Sequence, residues 1–194
     1  MIIIKDKFEL VGTKIAEFEL PNSRGKTVNI REFENEKSVI LVLFRDIHWP
    51  YCRWHAAELR RNLDKFEELD GFLFPILADT EENAKKMEQK YARTYAVFYD
   101  PSKSVPKLLH QQIKFWKGGR MPGLLIIDKQ GIIRYAYYSD SMKDLPKTEK
   151  ILEILKEINK WRFGMDKMEK RMIFYPYKVA TLYQINYFFT RKKS

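Results

Sequence analysis

The segment from Val39 to Leu69 constrains the fold more than any other part of this chain of 194 residues. An apolar, largely β-branched run of strand length ends at Phe44, and a short polar turn follows it. From Pro50 onward, apolar side chains recur at helical spacing, at Ala56, Leu59, Leu63 and Phe66. The pattern predicts a buried strand, a turn and a helix over residues 50–69, as in an α/β protein.

Cys52 is the only cysteine of the chain and falls in the first turn of that helix. Unpaired N–H groups and the positive end of the helix dipole favour a thiolate there, so we expect a thiol pKa below that of free cysteine. This placement makes Cys52 a candidate nucleophile. The residue also shares a helical face with Ala56 and Leu59, so an inert core cysteine is the competing interpretation. A single cysteine excludes a disulfide within the chain and a zinc site built from cysteines.

Composition narrows the class of protein further. The apolar share of 45% and the charged share of 32% are typical of a globular protein, and the length suits one domain followed by a tail. No apolar stretch reaches the length of a membrane span, and the apolar N-terminus is too short for a signal peptide. We therefore expect a cytoplasmic location, where thiols stay reduced. Since the three histidines lack ligand spacing, no metal site is expected. No cofactor is expected either.

The net charge of +10 is concentrated near the C-terminus. Residues 162–194 contain eight basic and two acidic side chains, so they carry +6 of that total. The main domain therefore gains little support for nucleic-acid binding. Nine aromatic residues lie between Trp161 and Phe189, and such a segment is expected to pack on its own domain or on a second copy, which predicts a homo-oligomer. Binding of this segment to RNA or to an anionic membrane is the alternative.

Strands and helices alternate in the rest of the chain. Gly71 is expected to end the first helix, Asp79 and Glu82 to form the capping box of the next, and residues 113–121 to form a loop. The other predicted strands are residues 17–20, 27–30, 72–78, 96–99, 124–128 and 132–138, and the other helices are 31–36, 79–93, 105–110 and 148–161. This order predicts an α/β, thioredoxin-like three-layer sandwich with a central mixed sheet over residues 1–161, and a C-terminal extension over 162–194.

Three motifs resemble the peroxiredoxin-like redoxins, the AhpC/TSA group of the thioredoxin superfamily. FRDIHWPYCRWHAAEL, which contains Cys52, resembles their active-site turn. VGTKIAEFELPNSRGKTVNI resembles their N-terminal hairpin, and MPGLLIIDKQGIIRYAY resembles their late hairpin with its lead-in proline. The similarity extends over residues 8–160 and stops before the aromatic extension.

The resemblance implies roles for individual residues. Cys52 matches the peroxidatic cysteine, Arg45 stands where classical members have a proline, and Tyr51 is the aromatic residue before the cysteine. Trp49 replaces a first cysteine, or the hydroxyl residue of classical members, and is either a lid over the thiol or a packing substitute. Pro122 matches the cis-proline of thioredoxins and stands where classical peroxiredoxins have an arginine. Trp49, Tyr51 and Pro122 are thus the candidate substrate-binding residues.

Several cations could assist the thiol. Arg45, Arg53 and Arg120 are candidates for lowering its pKa and for binding a developing oxyanion, because a guanidinium stays charged and offers several donors. Of these we predict Arg45 and Arg120 to be catalytic. His48 and His55 flank the cysteine, and each is either an acid, base or orienting group or a structural histidine.

The resemblance therefore implies a thiol-dependent antioxidant oxidoreductase with one cysteine, which reduces peroxides or disulfides through Cys52. With no second thiol, an external thiol, either thioredoxin-like or small, or a neighbouring subunit must reduce the oxidised sulfur. The alternative is a non-catalytic thioredoxin-fold interaction module whose extension mediates oligomerisation.

Overall fold

The computed structural model describes residues 6–141 and 145–164 of the protein. The chain divides into two units, residues 1–156 and 157–194, and the first contains every described strand. Of the second unit, only residues 157–164 at the end of the last helix are described. The predictions for the aromatic, basic extension therefore fall outside the described residues, except for its first three positions.

The first unit is built on a mixed sheet whose central strand is β3 (Ser38–Phe44). All seven residues of β3 are buried, as its continuous apolar run predicts. It pairs in parallel with β4 (Gly71–Leu77) and antiparallel with β8 (Gly123–Ile127), so that Leu41 lies between Phe74 and Leu125. The edge strands are β5 (Phe98–Tyr99), parallel to β4, and β9 (Ile133–Tyr138), which forms the predicted hairpin with β8. The predicted α/β class with a mixed sheet is confirmed.

Two small hairpins and several helices complete the described chain. β1 (Glu19–Pro21) pairs with β2 (Thr27–Asn29), and β6 (Ile113–Lys114) pairs with β7 (Gly119–Arg120). The second hairpin replaces the loop that the sequence suggests, and a 3-10 turn over Phe115–Lys117 connects its strands. The helices are α1 (Pro50–Arg61), α2 (Leu63–Glu67), α3 (Glu81–Met87), α4 (Ser104–Leu108) and α5 (Thr148–Gly164). None of the helices within the described ranges combines the length and apolarity that crossing a bilayer requires.

The predicted helix over residues 50–69 is interrupted at Asn62, which separates α1 from α2. Asn62 leaves helical geometry (φ −118°, ψ 15°), and its side-chain amide donates to the Glu58 carbonyl oxygen at 3.1 Å. Asparagine side chains compete in this way for the hydrogen bonds of the helix backbone. The spacing of apolar residues does not predict such a break in the helix. The helical stretch also ends before Gly71, because Asp70 adopts the left-handed conformation (φ 53°) and Gly71 begins β4.

Gly71 is required for close packing rather than for a helix terminus. A Cβ atom at this position would lie 2.9 Å from both the Ile40 Cδ1 atom and the Phe66 carbonyl oxygen. The backbone oxygen cannot move away without distorting α2. We expect Gly71→Ala to lower the free energy of unfolding by about 1–3 kcal/mol, because overpacking forces the backbone apart. Urea denaturation measures this change, and an unchanged midpoint would contradict the packing assignment.

The cap of α3 also differs from the prediction. Thr80, not Asp79, is the N-cap residue, and its hydroxyl accepts a hydrogen bond from the Asn83 N–H at 3.4 Å. The Asp79 carboxylate instead accepts from the Thr80 N–H at 2.8 Å. Both residue types cap helices well, so spacing alone does not choose between neighbours. Beyond α3 the chain continues as a π-helical turn, Glu88–Ala92, within the helix predicted to reach residue 93.

Candidate active site

Cys52 lies where β3 gives way to α1, as the sequence predicts. Pro50 occupies the first position of α1, where a missing N–H costs nothing, and Cys52 follows in the same turn. The Cys52 N–H donates to the Trp49 carbonyl oxygen at 3.1 Å, which closes this turn. The cysteine faces the core together with His55, Ala56 and Leu59, and only 3% of its surface is exposed. Each of the two competing interpretations is therefore met in part. The thiol lies at the start of a helix, as a nucleophile would, and it is buried, as a core cysteine would be.

The surroundings of the sulfur act on its pKa in opposite directions. Burial raises the pKa of the Cys52 thiol and is the largest effect. Hydrogen bonds from the backbone of Arg45 and Asp46 lower the pKa, the negative charge of Asp46 raises it, and the positive charge of Arg45 lowers it. The net shift is upward, so the expected pKa below that of free cysteine is wrong. The helix terminus and the nearby arginine, which lower the thiol pKa, can be predicted from the sequence. The burial that raises the pKa by more than they lower it cannot.

Arg45 is held in place on several sides. Its Nε atom donates to the Asp46 carboxylate at 3.0 Å, and its guanidinium lies 4.6 Å from the centre of the Trp49 ring. The guanidinium also donates to the Gly118 carbonyl oxygen, which connects the turn before α1 to the hairpin of β6 and β7. Gly118 has a left-handed backbone (φ +74°), and a Cβ atom there would lie 3.1 Å from the Arg45 Nη2 atom. A glycine at this position therefore allows the hairpin to approach the arginine closely.

Asp46 is a component of the site that the sequence analysis missed. Its carboxylate accepts a hydrogen bond from the Trp49 N–H at 2.9 Å in addition to the one from Arg45. It therefore fixes the turn in which the amides near the sulfur are presented. Aspartate side chains in turns commonly accept a hydrogen bond from a backbone N–H a few residues later. The three-residue spacing of Asp46 and Trp49 could therefore have indicated this role from the sequence.

The aromatic residues of the predicted site occupy distinct places. Trp49 is partly buried beneath the Arg45 guanidinium, and its indole N–H has no partner among the described atoms. Tyr51 is partly exposed, and its ring lies 5.2 Å from the ring of Trp54, which is 49% exposed. Arg53 donates to the Ile47 carbonyl oxygen at 2.6 Å and thereby braces the turn from the helix side.

The two flanking histidines lie in opposite environments. His48 is exposed, whereas His55 is buried one helical turn after Cys52, beside the ring of Phe44. Neither ring nitrogen of His55 has a hydrogen-bond partner among the described atoms. Burial lowers the pKa of His55 to about 4, so its imidazole is neutral at physiological pH.

Pro122 and Arg120 lie on the segment that enters β8. The peptide bond before Pro122 is trans, so the expected cis-proline is absent. The chain is extended on both sides of it, since Arg120 pairs with Ile113 and Gly123 pairs with Tyr138, and a trans bond suits such a path. Arg120 lines a cavity with Lys103 and Lys107, and its place in catalysis stays a prediction.

Gln111 connects this segment to the active-site turn, which the sequence did not indicate. Its side-chain amide donates to the carbonyl oxygens of Phe44 at 3.0 Å and of Met121 at 3.1 Å. One buried side chain thus joins the end of β3 to the residue before Pro122. Within the described ranges, no three histidine, cysteine or acidic side chains are grouped as metal ligands.

These features define an α/β protein of the thioredoxin-like class with a single cysteine at the start of the helix that follows its central strand. The family model described as the AhpC/TSA family matches residues 11–136. The chain belongs to this family, as its three motifs led us to expect.

Known relatives agree with this assignment. Peroxiredoxin Bcp of Bacillus subtilis is 23% identical over 143 residues, which are 69% of this chain and 88% of that protein. The crystal structure of Peroxidoxin BcpB from Mycobacterium tuberculosis is similar with a TM-score of 0.67 and 20% identity, over 76% of this chain and 97% of the other. The crystal structure of the reduced 2-Cys peroxiredoxin of Plasmodium vivax is similar with a TM-score of 0.70 and 18% identity, over 79% of this chain and 98% of the other. The likeness to both structures confirms the predicted fold.

Proposed function

We propose that this protein is a one-cysteine, thiol-dependent oxidoreductase that reduces a peroxide through Cys52. The observation that carries the proposal is the position of the sulfur, which lies in the first turn of α1, where the backbone of Arg45 and Asp46 favours its thiolate. Membership of the AhpC/TSA family and the similarity to named peroxiredoxins support the same chemistry.

The proposed reaction begins with the Cys52 thiolate. The sulfur attacks one peroxide oxygen, an S–O bond forms, and the O–O bond breaks. The leaving oxygen departs as hydroxide or alkoxide and takes up a proton to become water or an alcohol. The sulfur is oxidised to a sulfenic acid and the peroxide is reduced, so electrons balance within the pair.

The turn before α1 can stabilise the charge that moves through this step. The backbone amides near the sulfur stabilise the thiolate, and the Arg45 guanidinium offers donors to the departing oxygen. We propose that Trp49 and Tyr51 border the approach of the substrate to this turn. Because Cys52 is only 3% exposed, we propose a small hydroperoxide, with hydrogen peroxide as the simplest case, as the substrate.

An external thiol must complete the cycle because the chain has no second cysteine. One thiol condenses with the sulfenic acid, which releases water and forms a mixed disulfide. A second thiol then attacks this disulfide, restores Cys52 and leaves as the oxidised disulfide product.

Trapping of the sulfenic acid tests the proposed function. Limiting hydrogen peroxide should add one oxygen to the intact folded protein, and a carbon nucleophile such as dimedone should convert the product to a stable adduct at Cys52. The Cys52→Ser variant should give no adduct under the same conditions. A wild-type protein that remains unmodified when folded but is oxidised once denatured would contradict the proposal.

The burial of the sulfur favours a second candidate function, a non-catalytic thioredoxin-fold interaction module. In that case Cys52 packs as a core residue among the apolar side chains of α1, and Cys52→Ser changes no activity. This candidate also predicts that removal of residues 162–194 dissociates an oligomer. Analytical ultracentrifugation of the truncated chain measures this, and a monomer with or without the extension would contradict it.

A further inference from the structure

Gln111 is a buried polar residue between the active-site turn and the segment that enters β8, and only 7% of its surface is exposed. Its side chain donates to the carbonyl oxygens of Phe44 at 3.0 Å and of Met121 at 3.1 Å. Because both contacts are acceptors, the NH₂ group must face them, and each of its two hydrogens has an acceptor. The orientation of the side-chain amide is therefore determined by these two contacts.

The other end of the Gln111 amide has no such support. Its Oε1 atom is buried and accepts no hydrogen bond from any described residue. An unpaired buried acceptor costs free energy, which an apolar side chain of similar length would avoid. Packing alone therefore does not explain a glutamine at this position. What a glutamine supplies and an apolar residue cannot supply is the pair of hydrogen bonds from its NH₂ group.

One of these hydrogen bonds acts on a peptide group that belongs to the candidate site. The Phe44 carbonyl oxygen and the Arg45 N–H are parts of the same peptide group. This group is planar and trans, so its oxygen and its N–H point in opposite directions. Gln111 holds the oxygen, and the N–H on the other side is one of the two backbone donors that favour the Cys52 thiolate. Gln111 thus constrains the direction of this donor from the far side of the peptide group.

The backbone around Gln111 is itself held by two elements of the fold. The Gln111 N–H donates to the Pro106 carbonyl oxygen of α4 at 2.8 Å. The Tyr138 hydroxyl of β9 donates to the Leu109 carbonyl oxygen, two residues before Gln111, at 2.7 Å. A supporting residue positions a functional group well when its own place is fixed in this way.

We propose that Gln111 is a positioning residue of the active site, which holds the Phe44–Arg45 peptide group so that its N–H is directed at the Cys52 sulfur. The second hydrogen bond, to the Met121 carbonyl oxygen, keeps the side chain from rotating away. Hydrogen bonds in a chain polarise one another, so donation to the Phe44 oxygen also strengthens donation by the Arg45 N–H. The role rests on the proposed function, because it serves a reaction only if the thiolate attacks a peroxide.

An NMR titration of the full chain, labelled with ¹³C at the cysteine Cβ, tests this role. The single cysteine gives one signal, which reports the ionisation of the thiol without any peroxide. Gln111→Met keeps a side chain of similar length but removes the donor, so the pKa of the Cys52 thiol should rise further. Below the titration midpoint the thiolate fraction should fall by about threefold or more, since a hydrogen bond to a charged group is weakened.

The matched control is Gln112→Met, which removes the neighbouring glutamine. The Gln112 side chain accepts a hydrogen bond from Lys7 at 3.1 Å, so its loss should leave the Cys52 titration unchanged. Equal midpoints in the wild type and in Gln111→Met, or equal shifts in the two variants, would overturn the proposal. So would a wild-type Cys52 that does not ionise before the protein unfolds.

If Gln111→Met does not fold, the wild type decides the question. The side-chain amide signal of Gln111 should move with the same midpoint as the Cys52 signal, because the polarised peptide group connects them, while the signal of Gln112 should not. A Gln111 signal that does not follow Cys52 would overturn the proposal. Unchanged midpoints in a protein that still forms the dimedone adduct would reject the role of Gln111 and leave the proposed function standing.

Discussion

Replacement of Arg45 by methionine is expected to slow the oxidation of Cys52 by hydrogen peroxide by about 10²-fold, a loss typical for removal of one donor to a developing oxyanion. Methionine retains an unbranched stem over Trp49 but removes the cation that lowers the thiol pKa. Both effects act in the same direction, since less thiolate is present and the leaving oxygen loses its donor. Stopped-flow or competition kinetics with hydrogen peroxide at pH 7 measures the rate constant.

Two further variants separate this effect from a general loss of structure or charge. Arg61→Met removes an exposed arginine at the far end of α1, so its rate constant should match that of the wild type. Arg45→Lys restores the charge without the planar fork that reaches Asp46 and Gly118, so its rate should lie between those of Arg45→Met and the wild type. An Arg45→Met protein that is folded and reacts at the wild-type rate would remove Arg45 from the proposed mechanism.

Replacement of His55 by leucine is expected to make the protein markedly more resistant to acid. The folded state holds His55 neutral with a pKa of about 4, against 6.5 for an exposed histidine. Between these two values the unfolded chain binds a proton that the folded chain does not, so the free energy of unfolding falls as the pH falls from about 6.5 to 4. The full contribution of this one group is about 3 kcal/mol.

Denaturant unfolding at pH 7 and pH 4.5 measures this linkage. The wild type should lose more stability than His55→Leu over this interval, while the exposed His48→Leu control should behave as the wild type does. Leucine also replaces two buried ring nitrogens that lack partners, so the variant should be no less stable at pH 7. An identical acid dependence in the wild type and in His55→Leu would show that His55 is not kept neutral by burial.

The sequence predicts the centre of this fold well because its signals are local and strong. The strands predicted over residues 39–44, 72–78 and 124–128 are largely continuous apolar runs, and each observed bound of β3, β4 and β8 lies within one residue of the predicted one. The interruption at Asn62 and the choice of Thr80 as a cap depend on which of several competing hydrogen bonds forms. Such choices are decided by tertiary packing, which apolar periodicity does not encode.

The candidate site is predictable in its chemistry but not in its energetics. The strand, turn and helix pattern places Cys52 in the first turn of α1, and the resemblance directs attention to Arg45. Burial of the sulfur, which reverses the expected direction of its pKa shift, arises from side chains distant in sequence. The same is true of Gln111, which lies 67 residues from Phe44, and neither its link nor the cavity beside Arg120 has a sequence signature.

The most direct test of the central proposal compares the rate of Cys52 oxidation by hydrogen peroxide in the folded protein and in denaturant at one pH. Burial leaves less thiolate in the folded state, so a faster folded reaction can only come from the groups around the sulfur. We predict a higher second-order rate constant for the folded protein, measured by mass spectrometry of quenched samples. A folded thiol that reacts more slowly than the unfolded one would contradict the assignment of Cys52 as a nucleophile.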